Sequence, residues 1–248
     1  MAARVPAQPD SGRTASGLVI AAGPDQNDRI DRTVSPLRFD GRGVDLLAAY
    51  DRTAGRLLEN ANVFGGTENL SSLSSAPVSR ERLSEGGGEI AVLRIVGGHP
   101  SADRMMFALG VACDASIAVT KAGYADPDST SSDYLFGAVT LGPALVWRTP
   151  VFGGRTEARL AVPALALADH EYGDLKEQHG GLDLRLVSPE AWRGLNAAIS
   201  YTAAAGRRFG LTTMYRIGLV RFDDVQPVRA VSQSFTVGLL TRLGGAMP

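Results

Sequence analysis

Two of the three histidines, His170 and His179, lie in one acidic stretch, Asp169-His170-Glu171 followed by Asp174. A histidine oriented by a carboxylate can serve as a general base in hydrolysis. Adjacent residues of a strand point to opposite sides, so Asp169 and His170 need not cooperate, and a solvated polar loop explains the same composition. A second acidic stretch, Asp126-Pro127-Asp128-Ser129 with Asp133, offers oxygen ligands for calcium, but its spacing is not that of an EF-hand loop. It reads as a solvated loop. Gly86-Gly87-Gly88 and Gly97-Gly98 lack the Lys-Ser/Thr of a phosphate-binding loop and read as loop and turn glycines. His99 reads as a surface residue in a turn. The single cysteine, Cys113, excludes an internal disulfide and a Cys-x-x-Cys metal site. On this reading the chain is not an enzyme and needs no metal and no cofactor.

What remains is a set of charges of both signs scattered along the chain. Asp45, Asp51, Asp114, Arg148, Arg208, Arg216 and Arg242 form this set, and Glu59, Asn60, Asn62 and Arg159 join it if the register allows. The net charge is only −1, so nothing draws the chain toward nucleic acid. The chemistry of these groups depends on the elements that hold them.

Those elements are strands. Between Arg104 and Thr120 the odd positions are Met105, Phe107, Leu109, Val111, Cys113, Ala115, Ile117 and Val119, all apolar. The even positions are mostly small and include Asp114. This period of two marks a strand with one oily face. Alternation recurs over 134–149, 207–222 and 233–243, and weaker candidates lie at 16–23, 42–53, 56–65, 89–97, 154–168 and 191–204. Pro163 demands an irregularity in its strand, and Pro143 marks a bulge or a strand end. No run of eighteen apolar residues is present, so no transmembrane helix is available.

The connections alternate in length. The long ones are 24–41, 66–88, 120–133, 169–190 and 223–232. The short ones centre on Thr53-Ala54-Gly55, Gly98–Asp103, Pro150–Gly153 and Ala205-Gly206. A transmembrane barrel has short periplasmic turns and long outer loops. An even strand count places both termini on the periplasmic side. Aromatic residues gather toward strand ends: Tyr50, Phe107, Trp147, Tyr201 and Phe209 toward the short turns, and Phe64, Tyr134, Phe136, Trp192, Phe222 and Phe235 toward the long loops. Two interfacial girdles would place them so. Tyr215, mid-strand, departs from the pattern.

The chain resembles a small bacterial outer-membrane β-barrel of porin-like type. Its closing strand, Thr236-Val237-Gly238-Leu239-Leu240-Thr241-Arg242-Leu243, partly matches the C-terminal signal by which such barrels are recognised for insertion. Thr236, Gly238 and Leu243 fit that pattern and Thr241 does not. Ser35-Pro36-Leu37-Arg38-Phe39-Asp40-Gly41, followed by Val44–Tyr50, is similar to uncharacterised porin-like barrels. The resemblance implies a closed antiparallel transmembrane barrel of about ten strands over 16–248, in a bacterial outer membrane. Eight or twelve strands, or a soluble β-barrel or sandwich, are the alternatives. Residues 1–15 are expected to be a disordered tail or the remnant of an export signal.

In such a barrel the charges face a narrow lumen. Opposite charges there should pair into a partly wet plug, because an unpaired buried charge is costly. A pore whose arginines attract small anions is the other outcome. Function is then that of a porin-like or structural component of a cell-envelope assembly, with outer-membrane lipid and other envelope proteins as partners. A surface binding protein acting through its long loops, and a rim hydrolase using His170, are the alternatives.

Overall fold

A computed structural model describes residues 15–31, 38–72, 78–98, 104–124, 132–172, 184–206, 208–223 and 227–243. The strands are β1 (Ala15–Asp31), β2 (Arg38–Ala54), β3 (Leu57–Ser72), β4 (Val78–Gly98), β5 (Met106–Tyr124), β6 (Ser132–Val151), β7 (Gly154–Ala161), β8 (Leu165–Tyr172), β9 (Arg185–Val187), β10 (Trp192–Ala204), β11 (Phe209–Phe222) and β12 (Val228–Arg242). Every pairing is antiparallel, and β1 closes the ring on β12. β7 and β8 are two halves of one stave, since both pair with β6. β9 and β10 are likewise two halves, pairing with β8 and β7. The result is a closed barrel of ten staves.

Alternation sets which way each residue looks. On β5 the odd residues face outward and the even ones inward: Leu109, Val111 and Ile117 are exposed, whereas Met106, Ala108 and Ala112 are buried. The exposed apolar set continues around the wall through Val44, Val63, Ile90, Leu141, Ile199, Leu211 and Leu239. Such a belt is what a barrel presents to acyl chains, and closure leaves no unpaired backbone edge within it. Cys113 is exposed on this face, as expected of a small hydrophobe there. Leu239→Arg would place a cation in the belt. It is expected to cost about 2–4 kcal/mol in lipid vesicles if it lies at mid-depth. Denaturant unfolding measures this, and a loss as small for Leu239→Arg as for Leu239→Ala would show that no lipid surrounds this face.

The irregularity at Pro163 is a bulge. Ala144 pairs with Ala161 and Leu141 with Leu165, so two residues of β6 oppose three of the next stave. The ladder survives through Val162 N to Pro143 O, 3.0 Å, and Ala164 N to Leu141 O, 2.9 Å. Pro143 and Pro163 lack donors, so both fit where the ladder loosens. Across the bulge Gly142 is required, because a Cβ there would stand 2.0 Å from the Val162 carbonyl oxygen.

Residues 99–103 lie outside the described residues, and the short turns at 55–56, 152–153 and 205–208 fall where expected. That at Phe152-Gly153 has positive φ at both residues, 47° and 76°, the twist a two-residue hairpin needs. The long loops are shorter than expected. The strands run on to Asp31, Ser72 and Tyr124 and resume at Arg38, Val78 and Ser132. Most of 24–41 and 66–88 is therefore strand, and β1 through β6 have 16 to 21 residues each. A tilted span needs only about 9–11, so these staves extend beyond the belt. Their outer faces there are polar and mutually bonded: Arg38 pairs with Asp28, Gln26 donates to Asp40 at 3.2 Å, and Arg82 donates to Thr67 at 3.1 Å.

The aromatic residues divide differently from two girdles. Trp147 and Phe209 are exposed near the short turns. At the loop end, Phe136, Trp192 and Phe222 turn inward and are buried. Phe64 also faces the lumen, where the Arg216 guanidinium lies 4.7 Å from its ring centre. Phe235 is exposed, and Tyr215 joins it on the outer face, donating to Gln233 at 2.8 Å.

Candidate functional site in the barrel lumen

The lumen is built in three layers, each assembled from inward positions of several staves. At the turn end, β6 and β7 place Arg148 opposite Glu157, and the two pair. Arg159, two residues along β7 on the same face, also pairs with Glu157. Asp51 reaches across from β2 to Arg148 on β6, four staves away, at 3.2 Å and to Arg159 on β7, five staves away, at 2.8 Å. Asn60 donates to Asp51 from β3. Arg148 and Glu157 are 6% and 3% exposed, so this network crosses the lumen away from bulk water. Leu58, Leu93, Ile95, Met106 and Val146 fill the space beside it.

Above it lies a cavity of about 210 Å³. Asp25, Asn27, Asn62, Glu85, Glu89 and Asp114 line it, with Arg216. Arg216 crosses from β11 to pair with Asp45 on β2, and its Nε donates to Ser234 at 3.1 Å. Asp45 is 2% exposed.

At the loop end an apolar lid of side chains borders the chamber. Phe39, Leu70, Leu83, Phe136, Trp192, Phe222 and Val228 pack as one cluster. The rings of Phe136, Trp192 and Phe222 have centroids 6.0–6.2 Å apart, and those of Phe136 and Trp192 are nearly parallel, at 2°. Arg29 lies beneath, its guanidinium carbon 6.0 Å from the Phe136 centroid.

The charges singled out in the sequence are only partly brought together. Asp51 and Arg148 meet in the lower network, Asp45 meets Arg216, and Asp114 faces the chamber. Asn60, Asn62 and Arg159 turn inward. Arg208 does not belong to the set: it precedes β11 in a short turn and is exposed. Arg242 is half-buried at the turn end of β12, opposite Gly17. Glu59 faces outward and pairs with Arg52 at 3.3 Å. Asp25, Asn27, Arg29, Glu68, Glu85 and Glu157 were not legible as lumen residues, the first five because they fell in stretches that read as loop. Asp169 and the backbone of His170 belong to β8, pairing with Gly137 and Phe136. Asp174, His179, Asp126, Asp128 and Ser129 lie outside the described residues.

Neither a protein-family model nor a curated protein sequence matches the chain. Solved structures do. The outer membrane protease OmpT from Escherichia coli superposes with a TM-score of 0.57 at 10% identity, over 95% of this chain and 97% of that one. The translocator domain of the autotransporter NalP from Neisseria meningitidis gives a TM-score of 0.49 at 8% identity, over 95% and 91%. At such identities a likeness speaks of fold alone. Ring closure, the apolar belt and the first of these superpositions agree, and the chain has the fold of a small, ten-stave outer-membrane β-barrel.

Proposed function

We propose that the chain resides in a bacterial outer membrane as a structural barrel, porin-like in build and closed in its lumen, and that it serves an envelope assembly. One observation carries this reading: ion pairs reach across the lumen at the turn end, and three packed aromatic rings fill it at the loop end. A solute path would have to part both. The short turns share one rim with the start of β1 and the end of β12, since Leu243 N bonds to Ser16 O at 2.9 Å beside the β2–β3 turn. That rim is the periplasmic one on the usual pattern of such barrels. The wall offers lipid on its outer face and other envelope proteins at its polar collar as partners.

Catalysis is not part of this proposal. The acidic stretch around His170 begins on β8, and the polar groups that line the chamber among the described residues are carboxylates, amides, hydroxyls and arginines, with no histidine or cysteine. Binding through long loops loses ground, because deleting 66–88 would cut into β3 and β4 rather than remove a loop.

In planar bilayers the folded protein is expected to add no stable conductance steps. Its folding is checked by a mobility shift between boiled and unboiled samples in detergent. Sustained open-channel steps from protein that shows the shift would overturn the closed-lumen reading.

A further inference from the structure

The chamber holds more acid than base. Arg216 is committed to Asp45, and Arg29 stands under the aromatic lid. An anion-attracting pore is not what this lining makes. Within the chamber wall three carboxylates converge: Asp25 of β1, Glu68 of β3 and Glu85 of β4 each bring an oxygen within 4.8 Å of the others. They meet because the backbone between them is bare. Gly43 of β2 stands in register between Asp25 and Glu68, and Gly66 pairs with Glu85. A Cβ on Gly43 would lie 2.6 Å from Glu68 Cγ, and one on Gly41 would lie 2.8 Å from Glu68 Oε2. The carboxylates lean over glycines that a larger residue would close.

A separate observation concerns Asn27, which adjoins Glu68 on the same lumen face. Asn27 is 1% exposed, and its Oδ1 has no hydrogen-bond partner. Glu68, also 1% exposed, faces Asp25 and Asn27, and neither of its Oε atoms is held in a hydrogen bond of ordinary geometry. Buried acceptors are nearly always satisfied in native proteins. The orphaned oxygens of Asn27 and Glu68 stand beside the three converging carboxylates, and a bound cation would satisfy them.

The donor set names its class. It contains oxygens only, with no sulfur and no imidazole, which suits a hard divalent ion rather than zinc or copper. Calcium accepts carboxylates in one- or two-oxygen fashion together with amide carbonyls, in irregular geometry. Magnesium demands a near-ideal octahedron and holds its waters. We propose that Asp25, Glu68 and Glu85, with Asn27 Oδ1, form a calcium site that ties β1, β3 and β4 together inside the lumen. The site does not depend on whether the lumen conducts.

The test uses the full chain refolded in detergent, stripped with EDTA and dialysed against radioactive calcium. One calcium per chain is expected. Glu68→Gln and Asn27→Leu should each weaken binding by at least the roughly 10–100-fold that even outer-shell changes cost at metal sites. Asp114→Asn, in the same chamber but outside the cluster, should bind as the native chain does. If the variants fail to fold, the native chain still decides. Its unfolding midpoint should be higher in calcium than in EDTA at matched ionic strength, and higher than in magnesium. No bound calcium, equal binding by native and Glu68→Gln chains, or a midpoint indifferent to calcium would overturn the site.

Discussion

Arg148→Met is expected to cost about 3–5 kcal/mol of stability, the loss that follows when one partner of a buried ion pair is removed. The reason is geometric. Arg148 bonds Glu157 beside it and Asp51 across the lumen, and it is 6% exposed. Without it the direct ion pair left to Glu157 is Arg159, which Asp51 shares, with Arg155 as a more distant cation. Water cannot easily repair the deficit, because Glu157 is 3% exposed. The companion variant Arg148→Met/Glu157→Leu removes both charges and leaves Arg159 with Asp51 at 2.8 Å. Balanced apolar replacement of a buried pair is often neutral, so the double variant should recover most of the loss. Denaturant unfolding in detergent micelles measures both. Equal loss in single and double variants would mean that packing, not charge, holds this layer.

The strands were legible where one face meets lipid and the other meets small lumen residues. Over 104–120 that contrast sets Leu109 and Val111 against Gly110 and Ala112, and the structure keeps the same parity, with Asp114 inward. Beyond the belt the contrast disappears. On β1, Asp25, Asn27 and Arg29 look inward, while Gln26 and Asp28 look outward and bond to β2. Both faces are polar, so the stretch has no hydrophobic period and reads as loop. The same holds for the loop-end part of β3 and β4, where Glu68 is inward and Thr67 and Arg82 are outward. The cation cluster lay hidden there for that reason. The aromatic lid was misplaced for a related one. Spacing alone places Phe136, Trp192 and Phe222 near strand ends, but only parity relative to the wall distinguishes an outward girdle from an inward seal. On β6, Leu135 and Leu141 stand on one face and Phe136 on the other.

Opening the lid is expected to expose the chamber without making a channel. Phe136→Ala/Trp192→Ala removes two of three packed rings. Each such truncation in a packed core costs about 3–5 kcal/mol, although water entering from the loop end should soften the loss here. Access can be read at Ser116→Cys, a chamber-lining position on β5, in a Cys113→Ser background that removes the exposed native thiol. With the lid intact, a charged thiol reagent reaches this cysteine only through local opening. With the lid truncated, labelling should accelerate by an order of magnitude or more. Conductance should nevertheless stay absent, because the Asp51–Arg148–Glu157–Arg159 layer still spans the opposite end. Unchanged labelling would show that the rings do not seal the chamber. Fast labelling together with cation current would show that the ion layer is permeable, and the excess of carboxylates over arginines in the chamber would then set its selectivity.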